Sequence, residues 1–497
     1  MAAASPMPPL SLSRLGAVVA AFTLAGCAGV LPQAAFDEVE QTVVQRTGLA
    51  PEAVVWRTDS EADRAADDAV TALLADSLTA EAAVQVALLN NRRLQATYED
   101  LGVAQAALVQ AGLLRNPVFG ARARWGLDEA GPPDLGFAVA LPFLDVFRTP
   151  LRRAVAQTEF EAARLRVTEA VLDLAAETHV AFVRAQADAA RLALQQRVVA
   201  NAEAGYAASV ALREAGNVPA ADVLAEQALY EQARLDAVLA EAAAVESREA
   251  LARRMGLFGP EAAFALPTTL PPLAPPASVQ TVGGDALAAA PAIDVAALER
   301  GAVEASLPLA AARLDVEAAA RRLGLTDAEA LLPNLDVGGE LERDDGKWEA
   351  GPEVEVVLPL FDQGQARHTA ARSDLRRAQA TYYATAVDVR SAARVLAARV
   401  AARYRTALHY QTVVLPLRSQ LVQQTLRQYN AMQTGVFGLL QAQAQEVEAA
   451  RAATSALADY HAARIDLDAL RQGRMPALRA APAASGPPPS MRTDDDH

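Results

Sequence analysis

From Leu151 to Ala204 the chain contains neither glycine nor proline, and from Gln365 to Leu415 it again contains neither. Both stretches are rich in Ala, Leu, Arg, Glu and Gln, residues that lose little on entering a helix. Each run predicts a helix of about 75–80 Å at 1.5 Å per residue, longer than a compact domain can hold. Apolar residues return at three- and four-residue steps, as at Val167, Val171 and Leu174, with Arg and Glu on the intervening faces; this is the spacing of coiled-coil-like packing. Hydrophobic residues make up 52% of the chain but aromatics only 5%, and an apolar content carried mostly by alanine suits thin, closely packed helices.

The chain passes twice through one pattern. Leu113-Leu114-Arg115-Asn116 matches Leu331-Leu332-Pro333-Asn334, Leu141-Pro142-Phe143-Leu144-Asp145 matches Leu358-Pro359-Leu360-Phe361-Asp362, and Gly216-Asn217-Val218-Pro219 precedes a helix as Gly435-Val436-Phe437-Gly438 does. The displacement is nearly constant and far longer than a solenoid period, so each half is expected to be a complete unit. We place the first repeat at 78–263, a Pro-rich connector at 264–285, the second repeat at 286–473 and a disordered tail at 474–497.

Within each half lie two alternating segments. In 117–127, Phe119, Ala121, Ala123, Trp125 and Leu127 share one face and Gly120, Arg122, Arg124 and Gly126 the other. The segment 134–144 puts Leu135, Phe137, Val139 and Leu141 together after the turn-forming DEAGPPD. In the second half, 335–343 and 348–358 oppose Leu335, Val337, Leu341, Trp348, Ala350, Val354, Val356 and Leu358 to Asp336, Glu340, Glu342, Glu349, Glu353 and Glu355. Four strands cannot close a barrel alone, and an open edge in lipid leaves backbone groups unsatisfied. Three chains giving four strands each would close one of about 12 strands around a wet lumen. Arg122, Arg124, Glu340, Glu342, Glu353 and Glu355 would then line that lumen, with Trp125 and Trp348 near the extracellular turns. A small soluble sheet is the alternative.

The first residues, with Arg14, an apolar run from Leu15 to Ala25 and small residues before Cys27, read as an export signal (1–26) too short to span a bilayer. Cys27, the only cysteine, closes Leu24-Ala25-Gly26-Cys27, which resembles the bacterial lipobox; residues 27–77 would be a lipidated extension. A net charge of −15 without a dense basic patch argues against nucleic-acid binding. Five dispersed histidines and one cysteine offer no local metal motif, and no GxxxxGK[ST] loop is present. No catalytic residue, cofactor or metal site is expected.

In their order, Leu78-Thr79-Ala80-Glu81-Ala82, ALLNNRRLQA (87–96), QAGLLRNP (110–117), LPLFDQGQ (358–365) and QYNAMQTGVFGLLQAQ (428–443) resemble the TolC-type outer-membrane efflux proteins, across about Leu78 to Leu470. The resemblance implies an α+β membrane protein, internally duplicated, whose long antiparallel helices form a trimeric α-barrel beneath a shared 12-stranded transmembrane β-barrel. It implies a non-enzymatic exit duct in a tripartite efflux system with a periplasmic adaptor and an inner-membrane RND-type pump. Location would be the outer membrane, lipid-anchored at Cys27, with the helices in the periplasm. The NNRRLQA and YNAMQTGVF variants resemble the branch associated with heavy-metal or copper export, beside the drug exporters. Under the resemblance Gly216, Asn217, Val218, Pro219, Thr434, Gly435, Val436 and Phe437 are periplasmic helix-hairpin tips that meet the adaptor. There glycine would take positive φ and Pro219 would begin a helix. At the strand-to-helix junction Asp362 would cap the new helix and Gly364 allow close packing; the first copy, with Val146-Phe147-Arg148, departs from this turn. Pro416 is expected to kink the second long run. The rival reading is a periplasmic lipid-anchored coiled-coil scaffold without a pore.

Overall fold

The computed structural model describes residues 33–58, 60–125, 133–273, 291–331, 335–344 and 347–476. The export signal, Cys27, the strand-end residues Gly126 and Leu127, most of the connector and the tail from residue 477 lie outside the described residues.

The first half runs α1 (Gln33–Thr47), α2 (Glu61–Ala75), α3 (Ala80–Asn90), α4 (Arg92–Gly112), β1 (Val118–Arg124), β2 (Asp134–Pro142), α5 (Asp145–Glu214) and α6 (Ala220–Met255). The second runs α7 (Val295–Ala305), α8 (Leu307–Leu331), β3 (Leu335–Asp344), β4 (Lys347–Val356), α9 (Gln365–His409), α10 (Leu415–Asn430) and α11 (Val436–Arg471). Helix, helix, hairpin, long helix and returning helix thus recur in the same order. The 70 residues of α5 extend for about 105 Å.

This long helix is the spine against which α4, α6, α8 and α11 are laid. Its sequence permits that because Ala162, Ala176, Ala181, Ala185 and Ala187 are buried along it, and small side chains let helix axes approach closely. Three apolar cores are strung along the molecule. One joins Phe36, Val39, Trp56, Leu88, Tyr98 and Val171, bringing α1 onto α4 and α5, with the Phe36 ring 5.0 Å from that of Tyr98 and 5.8 Å from that of Trp56. The second centres on Leu78, Phe182, Leu251 and Met255. The third joins Leu298, Leu396, Val400, Leu408 and Leu467 on α7, α9 and α11.

The NNRR signature is a capping device. Asn91 accepts from the backbone of Arg93 (2.9 Å) and Leu94 (3.1 Å), capping α4, while its Nδ2 donates to the Arg254 carbonyl at 2.7 Å. Asn90 Nδ2 reaches the carbonyls of Met255 (3.2 Å) and Gly256 (3.1 Å). Two adjacent amides therefore satisfy the end of α6 and the start of α4, groups that are orphaned in any helix. Gly256, with φ of 72°, ends α6 in the left-handed region against Asn90, where a Cβ would meet the Asn90 carbonyl.

Pro416 acts upstream of itself. The chain from Tyr410 to Val414 is π-helical, and the Leu415 N–H bonds the Tyr410 carbonyl. Proline has no N–H for the carbonyl four residues back and its ring crowds that turn; widening the preceding turn accommodates it without ending the helix.

Candidate functional site

The four strands form one antiparallel sheet ordered β1-β2-β3-β4, so the hairpins of the two halves are joined through β2 and β3. Registers place like with like. Phe119 lies opposite Val139, Phe137 opposite Leu341 and Val337 opposite Val354, whereas Gly136 lies opposite Glu342, Glu342 opposite Glu349 and Asp336 opposite Glu355. Directly opposed residues share a face, so Arg122, Arg124, Glu340, Glu342, Glu353 and Glu355 do fall on one face, joined there by Asp134, Asp336 and Glu349. Asp134 was hidden within a segment that reads as turn; it is the first residue of β2, paired with Arg124.

Strands β1 and β4 are exposed on both faces, and on β2 Asp134 is exposed while Leu135 and Phe137 are half-buried. On β3 the apolar Val337 and Leu341 are exposed, while Asp336, Glu340 and Glu342 are half-buried. Phe119 and Trp125 are 66% and 67% exposed. The Phe137 ring stacks between Phe119 at 6.2 Å and Trp348 at 6.3 Å, an aromatic row running across the apolar face. No helix is laid along either face among the described residues. The strands are shorter than the sequence suggests: β2 stops at Pro142 and β4 at Val356, because Phe143-Leu144 already turn toward α5 and the chain leaves the ladder before Pro359.

The two strand-to-helix junctions differ, although both carry a Leu-Pro…Asp motif. Asp145 is itself the first residue of α5 and is 1% exposed at its side chain. It accepts from Arg115 Nε at 2.7 Å and Nη2 at 2.8 Å and from Arg152 Nη1 at 3.2 Å. The Arg115 hydrogen bonds, reinforced by Arg152, hold its carboxyl down at about 2. Asp362 instead lies outside its helix, accepting from the Gly364 N–H at 2.9 Å; Gly364, not Asp362, is the cap residue of α9. Its φ is 80°, and a Cβ would press on Ala330 at 3.2 Å, so both conformation and closeness require glycine.

At the far ends of the long helices sit the tips. Gly216 (φ 75°) closes α5, with Asn217 N–H on the Leu212 carbonyl at 2.8 Å and Gly216 N–H on that of Arg213 at 2.9 Å, a Schellman arrangement. Pro219 is the cap residue before α6, one position earlier than a helix-initiating proline. The second tip corrects the expectation for glycine: Gly435 has φ −82° and caps α11, while the left-handed position is taken by Met432 at φ 58°. Gln433 N–H reaches the Gln428 carbonyl at 2.9 Å, so the same closure is built on a residue with a Cβ. Met432 is 95% exposed. Gly at this position is expected to raise stability by about 1 kcal/mol, read as a higher midpoint in thermal unfolding of Met432→Gly; an unchanged or lower midpoint refutes the strain. Thr434, Val436 and Phe437 are half-buried at the base of the turn.

No three His, Cys, Asp or Glu side chains converge as metal ligands among the described residues.

Residues 83–257 match the model of the Outer membrane efflux protein family. No curated protein matches the chain. The fold is similar to that of the Campylobacter jejuni CmeC outer membrane channel, with a TM-score of 0.63 and 14% identity over 85% of this chain and 91% of that one. It is likewise similar to the open state of the Neisseria gonorrhoeae MtrE outer membrane channel (TM-score 0.60, 18% identity, 79% and 88% covered). The Vibrio cholerae outer membrane protein VceC gives a TM-score of 0.56 at 18% identity, with 80% and 96% covered. The first repeat thus matches the Outer membrane efflux protein family, and the described residues share the fold of these outer membrane channels.

Proposed function

We propose that the chain is the outer-membrane duct of a tripartite efflux system, a homotrimer that passes substrates delivered by an inner-membrane pump through a periplasmic adaptor. The observation that carries this reading is the two-faced sheet: an apolar face with exposed Phe119, Val139, Trp348 and Val354 and no helix laid on it, a charged face opposite, and two edge strands, β1 and β4, with no partner among the described residues. A sheet so built can bury its exposed apolar area in lipid and its open edges by closure with further copies. Among the described residues no helix is long and apolar enough to cross a membrane. The strands are the elements assigned to the bilayer, with the helices in the periplasm and Cys27 as the lipid anchor. The tips at 216–219 and 434–437 are assigned to the adaptor. Cargo, whether heavy metal, copper or drug, is assigned to the pump's choice.

The test is a Cys27→Ser chain exported with an ordinary cleavable signal, extracted from the outer-membrane fraction in detergent. A trimer that still needs detergent is expected, and its single channels should prefer cations, since acids outnumber arginines on the inner face. At about 10 Å in water each carboxylate favours a monovalent cation by roughly 0.4 kcal/mol, and three chains multiply the effect. Changing Glu340, Glu342, Glu353 and Glu355 to Gln should lower the cation-to-anion ratio on the order of tenfold. A water-soluble monomer would replace the duct by the tethered scaffold, and an unchanged ratio would remove those four acids from the lumen.

A further inference from the structure

At one end of the sheet Val118 pairs with Ala140 and Leu335 with Val356, and Phe143 N–H bonds the Leu335 carbonyl at 3.0 Å. The segments 113–117, 143–153 and 357–372 therefore leave the sheet at one level, as a collar between strands and helices. In the single chain the collar is apolar and exposed: Leu113, Leu114, Phe147, Leu358 and Leu360 are exposed, and Phe361 is 93% exposed. It is also basic. In a chain of net charge −15 these segments hold Arg115, Arg148, Arg152, Arg153, Arg367 and Arg372 against Asp145 and Asp362. Asp145 is taken by Arg115 and Arg152. Asp362 lies 3.6 Å and Glu329 3.9 Å from Arg367, and Asp327 faces His368 at 2.8 Å. Arg153, Arg367 and Arg372 are exposed.

Height decides what the collar meets. The nine residues of β2, at about 3.3 Å each and tilted by about 40°, rise roughly 23 Å, which the apolar band of a barrel already fills. Whatever follows the strands lies at headgroup depth, where aromatic and aliphatic groups sit at the interface and arginine reaches phosphate with a forked pair of donors.

Resting on the barrel reading above, we propose that the collar is a binding site for the phosphates of anionic phospholipids in the periplasmic leaflet. Arg153, Arg367 and Arg372 supply the charge, and Phe147, Leu360 and Phe361 the apolar seat. Continuity with the outward apolar face of the strands and charge opposite to that of the lipid both point to this occupant.

The full-length chain is reconstituted in vesicles of phosphatidylcholine with an equal part of phosphatidylglycerol, re-extracted, and the lipids that stay with it are counted by native mass spectrometry. Each surface cation adds roughly fivefold to anionic-lipid partition, so phosphatidylglycerol should be retained over phosphatidylcholine on the order of tenfold or more. The triple variant Arg153→Gln, Arg367→Gln, Arg372→Gln should lose that preference while remaining assembled and conducting, and the corresponding triple Lys variant should keep most of it. Equal retention of the two lipids, or a preference untouched by the Gln variant, overturns the proposal while the duct reading stands. Retention abolished by inorganic phosphate but indifferent to the Gln changes also overturns it. A chain that never enters the vesicles brings down the barrel, and the collar with it.

Discussion

Replacing Gly338 with alanine should abolish recovery of assembled channel from the outer-membrane fraction, while Gly339→Ala leaves it near the parental level. The two glycines are neighbours in β3, yet their surroundings differ. A Cβ on Gly338 would stand well inside contact with the Val139 carbonyl, atoms of the backbone of β2 that cannot swing aside. A Cβ on Gly339 meets nothing nearer than the Gly351 carbonyl at 3.7 Å, ordinary van der Waals contact. Gly338 sits opposite Ala140, in the pairing of β2 with β3 that joins the hairpin of the first half to that of the second. Relief of the clash means parting these strands or bulging one of them, at a cost of about 3 kcal/mol or more in an element of four strands. Yield of the detergent-extracted protein from outer membranes measures it, and equal yields from the two variants would show that the close approach of β2 and β3 does not exist.

The second large effect is expected at Asp145→Ala, a loss of about 2–3 kcal/mol in unfolding free energy at neutral pH. Arg115 and Arg152 would lose charge-assisted hydrogen bonds to a carboxylate that is 1% exposed. Arg115 is half exposed and rehydrates when its partner goes, which keeps the loss below that of a wholly buried pair. The pH dependence has a fixed sign. Asp145 is held at about 2, below its value of about 3.9 in an unfolded chain. Its stabilisation is complete above pH 4 or so and fades as pH falls through about 2. The difference between parent and variant in denaturant unfolding should therefore shrink in acid; a difference constant from neutral pH to pH 2 would mean the carboxylate is not the cause.

Much of this molecule is legible from local pattern. Breaker-free runs announce α5 and α9 because helix formation depends on residues a few positions apart, and strict alternation announces the four strands for the same reason. Duplication is equally visible, since a repeated motif order needs no knowledge of distance. Other features were not legible. Nothing near Asp145 in the sequence says that its partner is Arg115, thirty positions earlier, or that Asn90 and Asn91 close a helix that ends at Met255. The tip at Met432 misleads for another reason: a glycine three residues away offers the cheaper left-handed position, but the helix runs to Asn430 and its closing hydrogen bonds fall on the methionine.

The sequence by itself determined which segments become helix and strand, that the pattern occurs twice, and which strand residues are charged and which apolar. These are properties of neighbours along the chain, set by side-chain shape and a period of two or of three to four. Tertiary structure alone decided that β2 pairs with β3, that Arg122 and Arg124 of the first half share one face with Glu340, Glu342, Glu353 and Glu355 of the second, and that two similar Leu-Pro…Asp motifs build different junctions. Each depends on groups distant in sequence meeting within a few ångströms, where a carbonyl beside Gly338 or a guanidinium beside Asp145 outweighs local preference.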